Sequence, residues 1–455
     1  MTAQKKFIIG LDIGTSSIKG ILVASDGSER YTARVPFVYT CPENGGVEIP
    51  AEKYLEACFT LLKELSARFP GKGEIVGVSA ASASGNLLLL DENNVPVTPI
   101  HNWQDKRVTD ETEHILGDFD TDAYFRSTGW AFDKKTFPLA MLCWYKYHHP
   151  EILASCGKVC MSTEYLYYRL TGMWGIGTSA GTPFYLIDQV TGTYNADILE
   201  QLGIDACKLP PVGKTGSVLG TVTEEASVHC GLPVGTPVIL GTFDHPSAAR
   251  GVGICREGQL LLSCGTSWVG FYPVQEREKA VAAKMLIDPF LSDNGGPWGG
   301  MVSLASLSGQ IESFTRTYVD NSDTWFRELV DQSAKSTFGA GGLSINLLEA
   351  PDDAEIRKYE KRHIARAIME NTVNMLAARM AEIAKSGIVC EEAVMVGGPS
   401  ESPLWAELIA EKTGMRVKVM HGAYAGAVGA AVLAGTALGL YPDQESACAA
   451  LQDRG

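Results

Sequence analysis

Apolar and polar positions alternate in short bursts at the start of the chain. Residues 7–11 are apolar, 12–17 form a polar, glycine-containing turn, and 18–24 are apolar again. Asp26-Gly27, a strong hairpin signal, then leads into a strand-like run over 31–39. Three strands joined by two tight turns predict an antiparallel meander. Residues 51–69 carry helical spacing, and 75–81 and 87–90 read as further strands. From about 102 to 210 the pattern is mixed, with helical stretches at 138–147 and 164–170.

A proline- and glycine-rich stretch, Leu232-Pro233-Val234-Gly235-Thr236-Pro237, precedes the apolar strand 238–240. It predicts a division into a first domain of residues 1–237 and a second of 238–455. The second half opens as the first does. Residues 260–264 are an apolar run ending in Gly265-Thr266-Ser267, and the strand resumes at 269–272, just as residues 7–13 run into Gly14-Thr15-Ser16. A duplicated domain follows from that order. A long helix over 354–385, a strand at 393–396, a helix at 403–413, a strand at 416–420 and a small-residue helix at 425–438 complete the half. The Ala/Gly spacing of the last helix predicts close packing against a neighbour.

The 455 residues suffice for two domains with their own cores, and 45% hydrophobic with 20% charged positions is a globular composition. The balance of 38 basic and 53 acidic residues gives a net charge of −15. That excludes the basic footprint of a nucleic-acid binder and disfavours anionic membranes. An anionic ligand must then be held locally, by backbone amides or a metal ion. The 11 cysteines are odd in number, irregularly spaced and without a CxxC pair, which predicts reduced thiols. With no run of transmembrane length and no signal-peptide pattern, a cytoplasmic protein is expected.

Gly14-Thr15-Ser16 and Gly265-Thr266-Ser267 have the makings of phosphate-binding turns, with backbone amides, small hydroxyl residues and, in the first, the charge of Lys19. Asp12 ends a strand beside the first turn. It suits an Asx-type turn residue and, with phosphate nearby, a ligand for Mg2+, and the two roles are compatible. Asp244, with His245 after it, lies where a strand becomes a helix. It is either a helix cap or a general base that takes a proton from an attacking hydroxyl. Asn102-Trp103-Gln104-Asp105-Lys106-Arg107 is a polar cluster around an indole, suited to a sugar or to a surface ion pair beside a buried ring. Val394-Met395-Val396-Gly397-Gly398-Pro399, with a helix from Ser402-Pro403, is a strand–turn–helix link able to accept a flat base.

These segments, in this order over nearly the whole chain, resemble the FGGY carbohydrate kinases of the actin/Hsp70/hexokinase superfamily, xylulose-kinase-like in type. Residues 10–19 are similar to the family's first phosphate motif, and Trp103-Gln104-Asp105-Lys106-Arg107 to its W-x-D-x-R sugar segment. Tyr165-Leu166-Tyr167-Tyr168-Arg169-Leu170-Thr171-Gly172 matches its Y-L-x-x-R-L-T-G stretch, and residues 232–244 its G-L-P-x-G-T-P-V segment. The resemblance implies an α/β fold of two ribonuclease-H-like (actin-like ATPase) domains with an interdomain cleft, using ATP and Mg2+ on a small-molecule sugar. Asp244 would be the base and Asp12 would lie near magnesium. Trp103, Asp105, Arg107, Ser84 and His245 would lie near the sugar. The nucleotide would meet Gly14, Thr15, Ser16, Lys19, Gly265, Thr266, Gly309, Gly398 and Ser402.

Three places depart from the family pattern. The loop Ala80-Ala81-Ser82-Ala83-Ser84-Gly85 lacks the bulkier polar residues often found there, Pro399 replaces a third glycine, and the chain is somewhat short. They leave open the sugar, a pentulose, hexulose or related compound, and a homodimer. The alternative to a kinase is a nucleotide-dependent switch of the same superfamily that phosphorylates nothing.

Overall fold

The N-terminal meander forms as the pattern predicts. The strands are β1 (Lys5–Ile13), β2 (Ser17–Ala24) and β3 (Arg30–Pro36), paired antiparallel with Asp12 opposite Lys19 across the first hairpin. The computed structural model describes residues 4–69, 71, 73–83, 85–117, 120–265, 267–304 and 307–452. Two compact units divide the chain. The first comprises Met1–Cys255, Leu286–Gly296 and Tyr424–Gly455, and the second Arg256–Met285 and Pro297–Ala423.

In the first unit, helix α1 (Ala51–Ala67) follows the meander, and β4 (Gly73–Ser82) then pairs parallel to β1. Helices α2 (Phe137–His148) and α3 (Ser162–Thr171) precede β5 (Val218–Thr221) and β6 (Pro237–Phe243). The sheet order is β5–β6–β4–β1–β2–β3. Helix α4 (Asp244–Gly251) leaves β6 directly.

Both faces of β1 are covered, which is why it reads as a near-continuous apolar run. Phe7, Ile9 and Leu11 pack in one core with Tyr54, Leu61 and Leu65 of α1. Ile8 packs in the other with Ala427, Ala431 and Ala434. Those alanines belong to a helix near the chain's end, buried from Ala425 to Gly435 without a polar face, as an all-round apolar helix must be.

The second unit repeats the first sheet's topology. Strands β7 (Gln259–Cys264), β8 (Trp268–Val274) and β9 (Trp298–Leu304) form an antiparallel meander. After helices α5 (Leu307–Tyr318) and α6 (Lys361–Ala384), β10 (Glu392–Gly397) pairs parallel to β7. Helix α7 (Pro403–Thr413) then leads to β11 (Arg416–Val419), parallel to β10. Reading outward from each first strand, two antiparallel pairings lie on one side and two parallel pairings on the other, so the repeat seen in the two Gly-Thr-Ser turns extends to five strands of each sheet. Helices α8 (Ala425–Ala437) and α9 (Gln444–Leu451) belong to the first unit.

Two expectations differ from what is found. The units do not divide at 237/238: β6 pairs in parallel with β4 inside the first sheet, and the C-terminal helices pack on that sheet too. The expected helix 354–385 is two pieces, Asp353–Ile356 and α6, because Glu360 is extended (φ −69°, ψ 149°) and restarts the helix.

Candidate active site

The parallel strands β1, β4 and β6 end at one level of the first sheet. Asp12 is in register with Ala81, which is in register with Thr242, and Ile13 and Phe243 likewise flank Ser82. The carboxyl ends of parallel strands are where open α/β sheets bind ligands. Asp12 and Asp244 therefore stand on strands separated by only one neighbour, roughly 10 Å between chains at the usual strand spacing.

Asp12 is pushed up to about 6, first by burial and then by the charge of Asp244, with Lys19 partly offsetting both. Gly426 of α8 is the reason the carboxyl fits. A Cβ there would lie 2.6 Å from Asp12 Cγ and 2.8 Å from its Oδ2. Asp244 is the first residue of α4, half-buried, and its Oδ1 accepts the His245 amide at 2.7 Å. That contact is cap-like and leaves Oδ2 uncommitted to it. The His245 ring lies 5.5 Å from that of Phe243, edge-on.

The first glycine turn closes by Gly14 N donating to Ser17 O at 3.1 Å. Thr15 Oγ1 accepts from Trp103 Nε1 at 3.2 Å, so the turn and the Trp103 segment are joined. Ser16 is exposed, and Lys19 is half-buried opposite Asp12.

Trp103 is 37% exposed, whereas Asp105 is 2% exposed. The Asp105 carboxylate accepts from Val47 N at 3.0 Å, from Arg107 N at 3.1 Å, and from Arg107 Nε and Nη2 at 3.0 and 2.7 Å. Arg107 also reaches Glu48 at 3.0 Å, touches His101 Nδ1, and lies 5.3 Å from the centre of the Trp144 ring. Burial would raise the Asp105 pKa, but hydrogen bonds from His101, Arg107 and the Val47 amide hold it well below the usual carboxylate range. Arg107 thus completes a buried ion-pair network that fixes the segment, while the indole beside it stays open. A small cavity next to this network is lined by Gly85, Asn102, Asp105, Lys135, Phe137 and Met141, among others. Gly85 (φ +87°) permits it, because a Cβ there would sit 2.6 Å from the Phe137 ring. Ser84 lies outside the described residues.

In the second unit, β7 and β10 end side by side, with Cys264 in register with Gly397. Gly265 N donates to Ser267 O at 3.2 Å, and Gly265 O accepts from Ser308 Oγ at 2.7 Å, which brings Gly309 of α5 next to the turn. Among the described residues, nothing lies within 4 Å of a Cβ built on Gly309 or Gly398. Gly398–Glu401 is a 3-10 turn with Pro399 at its start, followed by Ser402, buried at the N-cap position of α7 without a side-chain cap bond. Ser402 Oγ is buried without a hydrogen-bond partner among the described residues. Thr266 lies outside the described residues.

The sequence reading did not single out Gly426, Ser179, Arg250 or Asp288. Arg250 and Asp288 are charged yet have 0% exposure, and only an arginine among the small residues of Ser247-Ala248-Ala249-Arg250-Gly251 hinted at the first.

Two α/β units of one sheet topology, each closing adjacent parallel strands with glycine-bearing turns, define the actin-like ATPase class in its sugar-kinase form. The model for the N-terminal domain of the FGGY family of carbohydrate kinases matches residues 7–251 and that for the C-terminal domain matches 260–438, and the chain belongs to this family. Its members are carbohydrate kinases, which transfer a phosphoryl group from ATP to a sugar hydroxyl. An autoinducer-2 kinase of Yersinia enterocolitica is 26% identical across 97% of this chain and 88% of its own length. The fold matches a xylulose kinase from Rhodospirillum rubrum with a TM-score of 0.86 at 23% identity, covering 97% of this chain and 92% of that one. A gluconate kinase from Lactobacillus acidophilus matches with a TM-score of 0.85 at 20% identity, over 97% and 91%.

Proposed function

We propose that the chain phosphorylates one hydroxyl of a ketose or closely related sugar, with Asp244 as the general base. The observation that carries this reading is the placement of Asp12 and Asp244 at the carboxyl ends of parallel strands, close enough for the charge of Asp244 to help raise the pKa of Asp12. An acid pair of this kind suits phosphoryl transfer, in which one carboxylate handles the hydroxyl proton and the other works beside the phosphates.

Asp244 accepts the hydroxyl proton as the oxygen attacks the γ-phosphorus, and ADP leaves with the electrons of the broken P–O bond. Gly14, Thr15 and Gly265, in the two glycine turns, supply short-range donors to phosphate oxygens. The open surface over Gly309 and Gly398 accommodates the nucleoside end. Asp12, whose carboxyl has room because Gly426 carries no side chain, would be the residue to hold magnesium beside the phosphates. Magnesium held there would neutralise charge on the phosphates.

The exposed Trp103 ring offers an apolar face to sugar C–H groups, and the Asp105–Arg107 network holds it there. The named substrates of the relatives, autoinducer-2, xylulose and gluconate, bracket the candidates as small, linear polyhydroxylated carbonyl compounds and their acids. None of the 11 cysteines is in a disulfide, which suits the reducing cytoplasm, and no helix among the described residues is long and apolar enough to cross a membrane.

The test is ADP release with MgATP over a panel of ketoses, polyols and aldonic acids. At least one ketose is expected to stimulate release well above the rate with water as acceptor and to yield a phosphosugar by mass spectrometry. A panel that leaves release at the water rate throughout contradicts the reading.

A further inference from the structure

Behind Asp244 runs a line of buried polar groups that the transfer step does not itself employ. Ser179 is fully buried. Its hydroxyl donates to Asp288 Oδ2 at 2.8 Å, and the same oxygen accepts the amide of Phe243 at 3.4 Å. Phe243 is the residue from which α4 departs, and its carbonyl carbon is bonded to the nitrogen of Asp244. The other carboxylate oxygen of Asp288 accepts Phe290 N at 2.7 Å.

The far end of α4 is tied to the same short segment. Arg250, in its last turn, donates Nη2 to Phe290 O at 2.7 Å and Nε to Gln444 Oε1 at 2.7 Å, and its guanidinium lies 4.5 Å from the centre of the Phe290 ring. Residues 288–290 therefore grip both ends of a helix only 8 residues long whose first side chain is Asp244.

The segment itself is anchored. Ile287 N donates to Gly129 O at 2.8 Å, Ile287 O accepts from Trp130 Nε1 at 3.1 Å and from Gln189 Nε2 at 2.7 Å, and Asp293 accepts from Thr178 Oγ1 at 2.7 Å. Leu286–Gly296 belongs to the first unit although the chain on both sides of it belongs to the second. Well-packed apolar residues would hold a helix at lower cost than a buried guanidinium and a buried carboxyl. What the polar groups add is direction, because each hydrogen bond fixes an angle as well as a distance.

We propose that Asp288 and Arg250 are positioning residues for the phosphoryl transfer: through Ser179 and Phe290 they fix the amide and the helix that aim the Asp244 carboxylate at the sugar hydroxyl. The inference rests on Asp244 being the base. Burial raises the Asp288 pKa to about 6 and lowers that of Arg250 to about 10, in keeping with the dry surroundings of both.

The test compares Ser179→Ala, Asp288→Asn, their double mutant, Arg250→Met and Arg250→Lys, each assayed with the best sugar of the panel and counted by nucleotide-binding sites. Misplacing a reacting group by a fraction of an ångström to one ångström lowers kcat on the order of 10–100-fold. That loss is expected for Ser179→Ala and Asp288→Asn, with the affinity for ATP unchanged. The double mutant should lose about as much as the worse single mutant, since both lie on one path. Arg250→Lys, which keeps the donor to Phe290 O, should recover part of the loss seen in Arg250→Met. Should Asp288→Asn fail to fold, Ser179→Ala, which removes one hydroxyl, carries the test alone.

Variants that lose thermal stability but keep kcat per site within about twofold of the parent overturn the proposal, because a purely structural brace behaves that way. Asp244→Ala run alongside separates the two claims. If it is inactive while Ser179→Ala has full kcat, only the positioning role falls. If Asp244→Ala is itself active, the base assignment falls and this inference falls with it.

Discussion

Glu164 shows what a single buried carboxyl does to the pH response of the whole chain. It has 0% exposure, its Oε2 accepts the Met161 amide at 3.1 Å, and its Oε1 has no partner among the described residues. Burial raises its pKa from 4.5 to about 8. A carboxyl whose folded pKa lies above its unfolded one binds its proton more tightly in the fold. Its contribution to stability is full below about pH 4.5 and is lost as pH rises through about 8. Glu164→Gln removes that dependence. Urea unfolding at about pH 6 and about pH 9 is expected to show a smaller loss of stability between the two for the variant than for the parent. Equal losses would contradict this state of Glu164. Residues of this kind show how far single positions were legible. The positions of Asp12 and Asp244 in the fold were readable because a carboxylate near a strand end, before a glycine turn in one case and a helix start in the other, is a local pattern. Ser179 and Asp288 were not, since their partnership spans 109 positions and nothing in either neighbourhood announces the other. Asp105 and Arg107 were readable as a pair, but that burial commits them to each other and to Glu48 emerges only with the fold.

At the scale of elements, the packing of α8 on the first sheet depends on absent side chains. A Cβ on Gly10 of β1 would lie 1.9 Å from Ala427 O, and one on Gly429 would lie 1.8 Å from Ser247 O of α4. Gly429→Ala must push α8 away from α4 or distort it. Overpacking of this sort costs about 1–3 kcal/mol, and chemical denaturation is expected to show a loss of at least that size. A change below about 0.5 kcal/mol would mean that the helix sits less tightly than these distances require. This packing was foreshadowed by the small-residue spacing over 425–438, and most strands were plain from apolar runs bounded by turns. The break before α6 was not. Residues 357–360 contain neither glycine nor proline, and only the extended Glu360 ends one helical piece before the next begins. The assignment of β6 to the first unit was also hidden, because a Pro/Gly stretch marks a turn without saying which sheet the next strand joins.

Across the whole molecule, the duplicated sheet explains why two glycine turns so far apart in sequence occupy the same place, each between the first two strands of its sheet. Asp12, Trp103 and Asp244 belong to one unit, and Gly265, Gly309 and Gly398 to the other. The net charge of −15 sharpens the need for local donors, since nothing in the overall field draws a nucleotide in. The most direct test is to replace Asp244 by Ala and measure two quantities on the same preparation: ATP affinity by calorimetry and phosphosugar formed per site by rapid quench. ATP should bind as in the parent while phosphosugar formation falls by about two to four orders of magnitude, the usual worth of a general base. Phosphosugar formed at near-parental rate with the carboxylate gone would contradict the mechanism.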